Sequence, residues 1–480
     1  MAVPLRVGQE CELRIDDLAF GGKGVGRLSG FVVLVDGGVP GDRVRARCVK
    51  ARGSYAEARV VEILEPSPSR VPARCEHFGL CGGCRWQNLP YEMQLEFKHR
   101  QVVEALRRIG GFEEPRVEPA LPSPDPWYYR NKMEFSFGTD PSGDLVLGLH
   151  PASSYTDVFD LKHCHLQSEL SNAIVAQVRA GCREAALPAY DVRQHTGFLR
   201  YLTIREGKFS GQVMVNIVTS EGGPDEAAWG EALRRLAAGV VAAHPEVTSF
   251  LRNINARKAT VAFGDREEVL AGAASIRETL LERSFEITAN SFFQTNSRQA
   301  QRLYGSVLEM AALSREDRVL DLYSGTGAIS ILAAARAAEV RGVESLAESV
   351  RNAEKNAALN QIGNVYFICG DVRKTLQALA SDRTPPTVII ANPPRAGLNA
   401  QVIRGMLRLR PRRIIYVSCN PTTLARDLKE MADGGYALAG VRPVDMFPHT
   451  YHIECVARLD RSDPPPRAAA PPPAAGSGPL

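Results

Sequence analysis

Val319-Leu-Asp-Leu-Tyr-Ser-Gly-Thr-Gly327 decides the fold of the C-terminal part of this chain. Its apolar start predicts a buried strand, and Gly325 and Gly327 predict a turn whose backbone can come close to a ligand. Residues 328–338 predict a helix, and the free N–H groups at its N-terminus face the same turn. A strand, a glycine turn and a helix in this order indicate a nucleotide-type cofactor site in an open α/β sheet.

Acidic residues at the ends of the next two predicted strands narrow the class of cofactor. Glu344 ends a strand about twenty residues after Asp321, where an acid can bind a ribose diol. Asp371 follows the strand Val365–Cys369 and is placed to contact an adenine amino group. The turn holds one Gly-x-Gly rather than Gly-x-Gly-x-x-Gly, so it fits S-adenosylmethionine better than a dinucleotide with its pyrophosphate. The alternative is an ordinary α/β turn with capping residues.

Two further predicted strands of the same sheet end in residues that can carry chemistry. Residues 387–391 are followed by Asn392-Pro-Pro-Arg395, and Ile414-Ile-Tyr-Val417 is followed by Ser418-Cys-Asn-Pro421. Because ligands bind at the carboxyl ends of parallel strands, Cys419 is a candidate nucleophile beside the cofactor. The alternative for Cys419 is a small buried core thiol. An aromatic residue in place of Arg395 would favour an amino group as methyl acceptor, so amino methylation is the less favoured interpretation.

The composition permits a multidomain enzyme and sets few other limits. A chain of 480 residues is too long for one ordinary core, and roughly two to four domains are expected. The formal net charge of +4 permits nucleic-acid binding only if basic residues cluster. We expect a cytoplasmic protein without a membrane partner, because the chain shows neither a bilayer-spanning apolar run nor a signal peptide. Ten cysteines are too few for a disulfide scaffold, so clustered ones indicate metal binding or catalysis.

Four regions are expected along the chain. They are an OB-like β-barrel, a central α+β region, a Rossmann-like α/β domain and a disordered tail, over residues 1–66, 67–284, 285–460 and 461–480. The barrel strands are separated by glycine-rich turns such as residues 21–26. The helices and strands of the third region alternate, which predicts a doubly wound parallel sheet. Arg43, Arg45 and Arg47 alternate along one barrel strand and form either a basic face for a nucleic-acid backbone or an ordinary solvated face.

A cluster of cysteines follows the barrel. Cys75, Cys81 and Cys84 lie close together, and Cys164 is the natural fourth ligand because three thiolates cannot complete a tetrahedral site. Four thiolates suit either Zn²⁺ or a [4Fe–4S] cluster, and the spacing alone does not decide, although a distant fourth ligand leans to iron–sulfur. The alternative is unrelated free thiols.

Taken together, these motifs resemble the 5-methyluridine RNA methyltransferases, which use S-adenosylmethionine to methylate uracil C5 in ribosomal or transfer RNA. The resemblance covers about residues 7–459. Its most specific pieces are Ser418-Cys-Asn-Pro-Thr-Thr-Leu-Ala-Arg-Asp427, Met446-Phe-Pro-His-Thr-Tyr-His-Ile-Glu454, Asn290-Ser-Phe-Phe-Gln-Thr-Asn296 and Asp321-Leu-Tyr-Ser-Gly-Thr-Gly327. The barrel resembles the TRAM domain found in part of this family, and the cysteines match the family's ligands to a [4Fe–4S] cluster.

The resemblance implies a role for each matching residue. Cys419 is the nucleophile that adds to uracil C6, and Glu454 is the base that takes the C5 proton, although a lone Glu in a strand-like run is usually a surface residue. The implied cofactor residues, with those of the patterns above, are Gln294, Tyr323, Glu344, Asn392, Asp321, Gly325 and Asp371. The family usually has Asp-Pro-Pro-Arg where this chain has Asn392, which keeps the size of Asp and one acceptor oxygen but loses the charge.

Several alternatives remain open from sequence. The barrel and the four cysteines resemble the ribosomal-RNA branch, so large-subunit rRNA is the favoured substrate and tRNA the second one. An RNA cytosine-C5 methyltransferase would use the same thiol chemistry, and a catalytically silent RNA-binding protein is the alternative outside the enzymes. A monomer is expected.

Overall fold

The computed structural model describes residues 5–221, 223–258 and 261–462. From residue 463 onward, the predicted tail at 461–480 lies outside the described residues. The described chain is an α/β protein with an N-terminal barrel, as predicted, and it continues into two seven-stranded sheets. No helix in the described ranges is both long and apolar enough to cross a bilayer.

The N-terminal barrel is closed by five strands. They are β1 Glu10–Leu18, β2 Gly24–Leu28, β3 Phe31–Asp36, β4 Arg43–Ala51 and β5 Tyr55–Glu65. The predicted turn at residues 21–26 is wrong in its second half, because β2 begins at Gly24 and pairs with β1 and β3. Glycine is needed in this strand, since a Cβ on Gly24 would lie 2.8 Å from Ile15 and one on Gly26 would lie 2.5 Å from the Arg14 carbonyl oxygen.

The arginines of β4 do not form a free basic face. Arg43, Arg45 and Arg47 each pair with a glutamate on β1 or β5, the partners being Glu12 and Glu65, Glu62, and Glu10. Because each guanidinium already faces a carboxylate, the structure favours the solvated strand face over the phosphate-binding face.

The central region is built on a mixed seven-stranded sheet. Its strands are β6 Lys132–Thr139, β7 Leu145–Leu149, β8 Phe159–Asp160, β9 Leu199–Glu206, β10 Val213–Thr219, β11 Val247–Ile254 and β12 Arg266–Gly272. Among the described residues, this part of the chain has three α-helices, α1 Tyr91–Arg108, α2 Glu169–Glu184 and α3 Glu226–Ala243. A hairpin of β13 Ser275–Leu280 and β14 Arg283–Thr288 then leads to the last sheet.

The C-terminal sheet positions the candidate site. Its strands are β15 Arg318–Leu322, β16 Glu339–Glu344, β17 Val365–Cys369, β18 Val388–Ala391, β19 Arg413–Ser418, β20 Tyr436–Val444 and β21 Glu454–Arg461. Its helices are α4 Ser297–Ala311, α5 Ala328–Ala334, α6 Ala347–Leu359, α7 Val372–Leu379, α8 Ala400–Arg408 and α9 Pro421–Asp433. The strand order is β17-β16-β15-β18-β19-β21-β20.

One strand departs from the predicted parallel sheet. β21 is antiparallel to both of its neighbours, β19 and β20. The reason is the connection from β20, which is a loop at residues 445–453 without a helix. A chain that returns without a crossover pairs antiparallel with the strand that it has just left.

Helices bury both faces of this sheet, and one of them comes from far upstream. Val102 and Leu106 of α1 are fully buried in the same core as Tyr416 of β19 and Leu424 of α9. Residues 117 and 121 then form isolated bridges to β20. These contacts tie part of the predicted central region to the C-terminal sheet, while the predicted domain boundaries remain predictions.

Candidate active site and cofactor cleft

Cys419 and Glu454 come together because β21 is antiparallel to β19. Ser418, the last residue of β19, lies opposite Cys455 in this pairing. Cys419 follows Ser418, and Glu454 precedes Cys455, so these two residues stand next to each other one position beyond that pair. β19 ends at Ser418 and α9 begins at Pro421, so Cys419 lies in the short connection between them, half-buried at the carboxyl edge of the parallel strands. This is the edge at which open α/β sheets bind their ligands.

The charged groups near Cys419 shift the pKa of its thiol in opposite directions. Burial and the nearby charge of Glu454 raise the pKa of the Cys419 thiol, whereas the guanidinium of Arg395 opposes that rise. Burial raises the pKa of Glu454 to about 8. Both groups are therefore largely protonated at neutral pH in the protein alone. Arg395 is the neighbouring cation that favours the thiolate, and it is the residue that made amino methylation the less favoured interpretation.

Arg395 also contacts two residues of the loop that precedes Glu454. Its Nη2 lies 3.4 Å from the Tyr451 hydroxyl and 3.3 Å from Nδ1 of His452. The rings of Tyr451 and His452 contact each other with centroids 4.2 Å apart. Burial, with the charge of Arg395, lowers the pKa of His452 to about 4, so its ring is neutral at pH 7. The sequence signal for this group was the pair Tyr-His shortly before Glu454 in the same motif.

His449 lies in the same loop but serves another connection. Its ring stacks on Trp127 with centroids 3.7 Å apart. Its carbonyl oxygen accepts hydrogen bonds from the backbone N–H groups of Arg85 and Trp86, at 2.9 and 3.0 Å. Burial lowers the pKa of His449 to about 3. A neutral, stacked histidine thus ties the loop before Glu454 to the segment that follows Cys84.

Glu344 binds the glycine turn that follows β15. The carboxylate of Glu344 accepts from the N–H groups of Gly325 at 3.1 Å, Ser345 at 2.7 Å and Leu346 at 3.0 Å. Gly325 has a φ of +55°, and a Cβ there would have nothing within 4 Å, so its backbone borders open space. A Cβ on Gly327 would lie 2.8 Å from Phe367, so this glycine is required by packing.

Asp321 and Tyr304 lie under the turn. Asp321 is fully buried, and its Oδ2 accepts a hydrogen bond of 2.6 Å from Ser330. Its Oδ1 has no partner among the described residues, and burial raises its pKa to about 7. Burial, with the charges of Glu454 and Asp321, raises the pKa of Tyr304 well above its usual range, and Gln294 shares a hydrogen bond with it. Tyr304 thus connects the two parts of the site, and no sequence motif contained it.

The remaining predicted cofactor residues lie along the same edge of the sheet. Tyr323 has a φ of +63°, a conformation uncommon for a residue with a Cβ. Asp371 accepts a hydrogen bond of 3.0 Å from the N–H of Lys374 and so caps α7. Asn392 is half-buried directly after β18, and its N–H donates to the Leu322 carbonyl at 3.3 Å. The structure brings these positions together, and their roles remain predictions.

The four predicted metal-binding cysteines line one cavity. Cys75, Cys81, Cys84 and Cys164 border a space of about 350 Å³ together with several histidines. Burial raises the pKa of each of these thiols, and for Cys84 to about 12. Within the described ranges, no group of three or more His, Cys, Asp or Glu side chains forms a site for a metal ion. The structure thus groups the cysteines without showing a metal site.

The fold and the site define an S-adenosylmethionine-dependent methyltransferase with an N-terminal barrel. Residues 90–462 match the family described as tRNA (Uracil-5-)-methyltransferase, and residues 4–61 match the TRAM domain. The chain therefore belongs to the RNA uracil-5-methyltransferase family and is an RNA methyltransferase. The TRAM domain accounts for the closed barrel.

Individual relatives agree with this assignment over nearly the whole chain. An uncharacterized RNA methyltransferase of Chlorobaculum tepidum is 40% identical over 95% of this chain and 98% of its own length. Another, of Halalkalibacterium halodurans, is 37% identical over 95% of this chain and 98% of its own length. Among solved structures, the Pyrococcus abyssi tRNA (uracil-54, C5)-methyltransferase in complex with S-adenosyl-L-homocysteine is 31% identical. Its TM-score is 0.73, and the match covers 94% of this chain and 100% of that one.

Proposed function

We propose that this enzyme methylates uracil C5 in RNA through a covalent adduct at Cys419. The observation that carries the proposal is the pairing of β21 with β19, which leaves Cys419 and Glu454 side by side at the ligand edge of the sheet. C5 and C6 are neighbouring ring carbons. A thiol that attacks one of them and a carboxylate that deprotonates the other must therefore stand close together.

Cys419 and Glu454 divide the reaction between them. The Cys419 thiolate, favoured by Arg395, adds to C6, so the Sγ–C6 bond forms and the electron pair of the C5–C6 double bond becomes an enolate. S-adenosylmethionine, when bound, would supply the methyl group that C5 takes up and would leave as S-adenosylhomocysteine. The carboxylate form of Glu454, which is the minor form at pH 7 because its pKa is about 8, then accepts the C5 proton. The double bond re-forms, and the Sγ–C6 bond breaks to free Cys419.

The residues at the glycine turn fit the cofactor. Asp321 offers an unpartnered buried oxygen that suits an ammonium group, and Glu344 is an acid at the end of the second strand that suits a ribose diol. The open backbone at Gly325 leaves room for the ligand. We assign Tyr323, Asn392 and Asp371 to the same cleft, because they follow neighbouring strand ends. We assign Gln294 to it as well, because it shares a hydrogen bond with Tyr304.

We propose large-subunit rRNA as the preferred substrate of this enzyme and tRNA as the second candidate. The rRNA proposal rests on the resemblance of the barrel and the four cysteines to that branch, whereas tRNA is favoured by the similarity to the Pyrococcus abyssi tRNA (uracil-54, C5)-methyltransferase. The target base must leave its stack to reach Cys419. Phe292 is 65% exposed and suits stacking on it, whereas Phe293 is buried against Phe285. A cytoplasmic monomer also remains our prediction.

We propose a [4Fe–4S] cluster as the ligand of the four cysteines. They line one cavity, which fits a cluster whose four irons each take one thiolate. A single Zn²⁺ would need all four sulfurs around one point. Purification without oxygen should give a brown protein with iron and sulfide, and a colourless, zinc-loaded protein would refute the cluster.

The decisive experiment is methyl transfer from labelled S-adenosylmethionine to unmodified large-subunit rRNA and, separately, to tRNA. The product nucleoside is then identified. 5-Methyluridine in rRNA alone supports both the uracil-C5 reaction and the rRNA substrate, and 5-methyluridine in tRNA alone replaces the substrate while keeping the reaction. 5-Methylcytidine would favour the cytosine enzyme, and cofactor binding without product would favour the RNA-binding protein.

A further inference from the structure

We propose that the barrel positions the catalytic residues, so that the TRAM domain contributes to turnover as well as to RNA binding. Residues 19–23, which connect β1 to β2, are here called the barrel loop. Residues 445–453, which connect β20 to β21, are called the catalytic loop. The inference rests on the proposed function of Cys419 and Glu454.

The barrel loop packs directly on the catalytic loop. Gly22 has a φ of +87°, and a Cβ there would lie 3.2 Å from Cδ1 of Tyr451 and 3.3 Å from Cβ of Arg85. The ring of Phe20 meets the ring of Tyr451 edge-on, with centroids 5.8 Å apart and planes at 86°. The barrel therefore limits where the Tyr451 ring can lie.

Trp86 is hydrogen-bonded to both loops. Its side chain is 1% exposed, and its Nε1–H donates to the Gly22 carbonyl at 3.3 Å. Its backbone N–H donates to the His449 carbonyl at 3.0 Å. The same small core contains Leu18 and Val39 of the barrel, with Tyr451 packed against it. One buried residue thus holds the barrel loop and the catalytic loop together.

The contact reaches the reacting groups through Tyr451. Its hydroxyl contacts Arg395, whose charge favours the Cys419 thiolate, and its ring contacts His452. Glu454 follows three residues after Tyr451. A displaced Tyr451 would therefore move both Arg395 and the start of β21.

The other end of the catalytic loop is held by α1, which itself contacts the barrel where the Gln101 amide donates to the Leu18 carbonyl. The Lys98 ammonium donates to Oδ1 of Asp445 at 2.7 Å and to the Phe447 carbonyl at 3.1 Å, and both charged side chains are fully buried.

Because α1 is also fixed in the core of the C-terminal sheet through Val102 and Leu106, a local change at Gly22 should act first on the Tyr451 end. This makes the contribution of the barrel separable from the folding of the loop.

The test compares Gly22→Ala with Gly21→Ala in the full-length protein. Both glycines have positive φ, +87° and +103°, but a Cβ on Gly21 would have nothing within 4 Å. Both variants therefore carry a backbone cost, and only Gly22→Ala crowds Tyr451. We expect kcat for 5-methyluridine formation to fall about tenfold or more in Gly22→Ala, with an unchanged KM for RNA and a kcat near wild type in Gly21→Ala.

The other possible results each contradict the positioning role or the proposed function. Equal kcat values for the two variants would refute the positioning role, and a raised KM with unchanged kcat would make the barrel loop an RNA contact instead. If Gly22→Ala fails to fold, Phe20→Ala takes its place, with Phe20→Leu as the conservative variant that should restore part of kcat. An inactive wild type would count against the proposed function itself, and active variants that all match the wild type would count only against this inference.

Discussion

Replacing Glu454 by Gln should make the stability of the protein less dependent on pH. The Glu454 side chain lies at the buried edge of β21, and its pKa rises from 4.5 to about 8 on folding because burial disfavours the carboxylate. Between these two pH values the folded chain holds a proton that the unfolded chain has released. The free energy of unfolding of the wild type therefore falls as pH rises through this window and has lost this contribution in full above about pH 8.

The size of the effect follows from the shift. Each pH unit inside the window costs the folded state about 1.4 kcal/mol, so the change from pH 5.5 to pH 8 amounts to about 3 kcal/mol. Gln has nearly the same shape and no proton to release. The advantage of Glu454→Gln over the wild type should therefore grow by about 3 kcal/mol across this range.

Urea unfolding at pH 5.5 and pH 8 measures this difference. All other ionisable groups are shared by the two proteins, so they cancel to first order when the variant is compared with the wild type. Glu354→Gln, at an exposed position on α6, is the matched control and should show no such trend. If the free energies of unfolding of Glu454→Gln and wild type differ by the same amount at both pH values, Glu454 is not buried in its protonated form.

Four further outcomes are expected. Cys419→Ser should lower turnover by several orders of magnitude while calorimetry shows normal S-adenosylmethionine binding, and normal turnover would exclude the nucleophile. Glu454→Gln should accumulate a protein–RNA adduct that survives denaturation, because the C5 proton is not removed; its absence on gels would count against the base. Arg395→Gln should move the acid limb of the pH–kcat/KM profile to higher pH, since a cation beside the thiol is lost, and an unmoved limb would remove Arg395 from thiol activation. Glu344→Gln should weaken S-adenosylmethionine binding about tenfold or more in calorimetry without changing RNA affinity, and unchanged cofactor affinity would contradict its assignment.

The cofactor turn could be predicted from sequence because its determinants are local. An apolar strand, Gly325 and Gly327 stand within a few residues of one another, and each acts through its own backbone or its own strand. The direction of β21 could have been predicted as well, because residues 445–453 contain no helical pattern and a loop of that length returns the chain antiparallel. That reversal brings Glu454 to Cys419. From the sequence, the resemblance alone indicated the pair.

The barrel shows why charge patterns are harder to interpret. The alternation of Arg43, Arg45 and Arg47 is visible in the sequence, but their glutamate partners lie on β1 and β5. The sequence pattern of one strand does not show which charges its neighbours bring. A face that is already paired releases few counterions when it meets a phosphate backbone, so its contribution to RNA affinity should be small.

The same limit applies to the residues that surround Glu454. Tyr451 and His452 are close to it in sequence, but Gly22, Trp86 and Lys98, which contact or anchor their loop, come from the first hundred residues of the chain. Each of them has an ordinary local explanation, as a turn glycine, a core tryptophan or a solvated helix lysine. Their shared role becomes visible only in the packing of the barrel loop and α1 against the catalytic loop. The catalytic loop is therefore held in place by three separate segments, which are the barrel loop, the segment of Trp86 and α1. Variants in the barrel loop test this most directly.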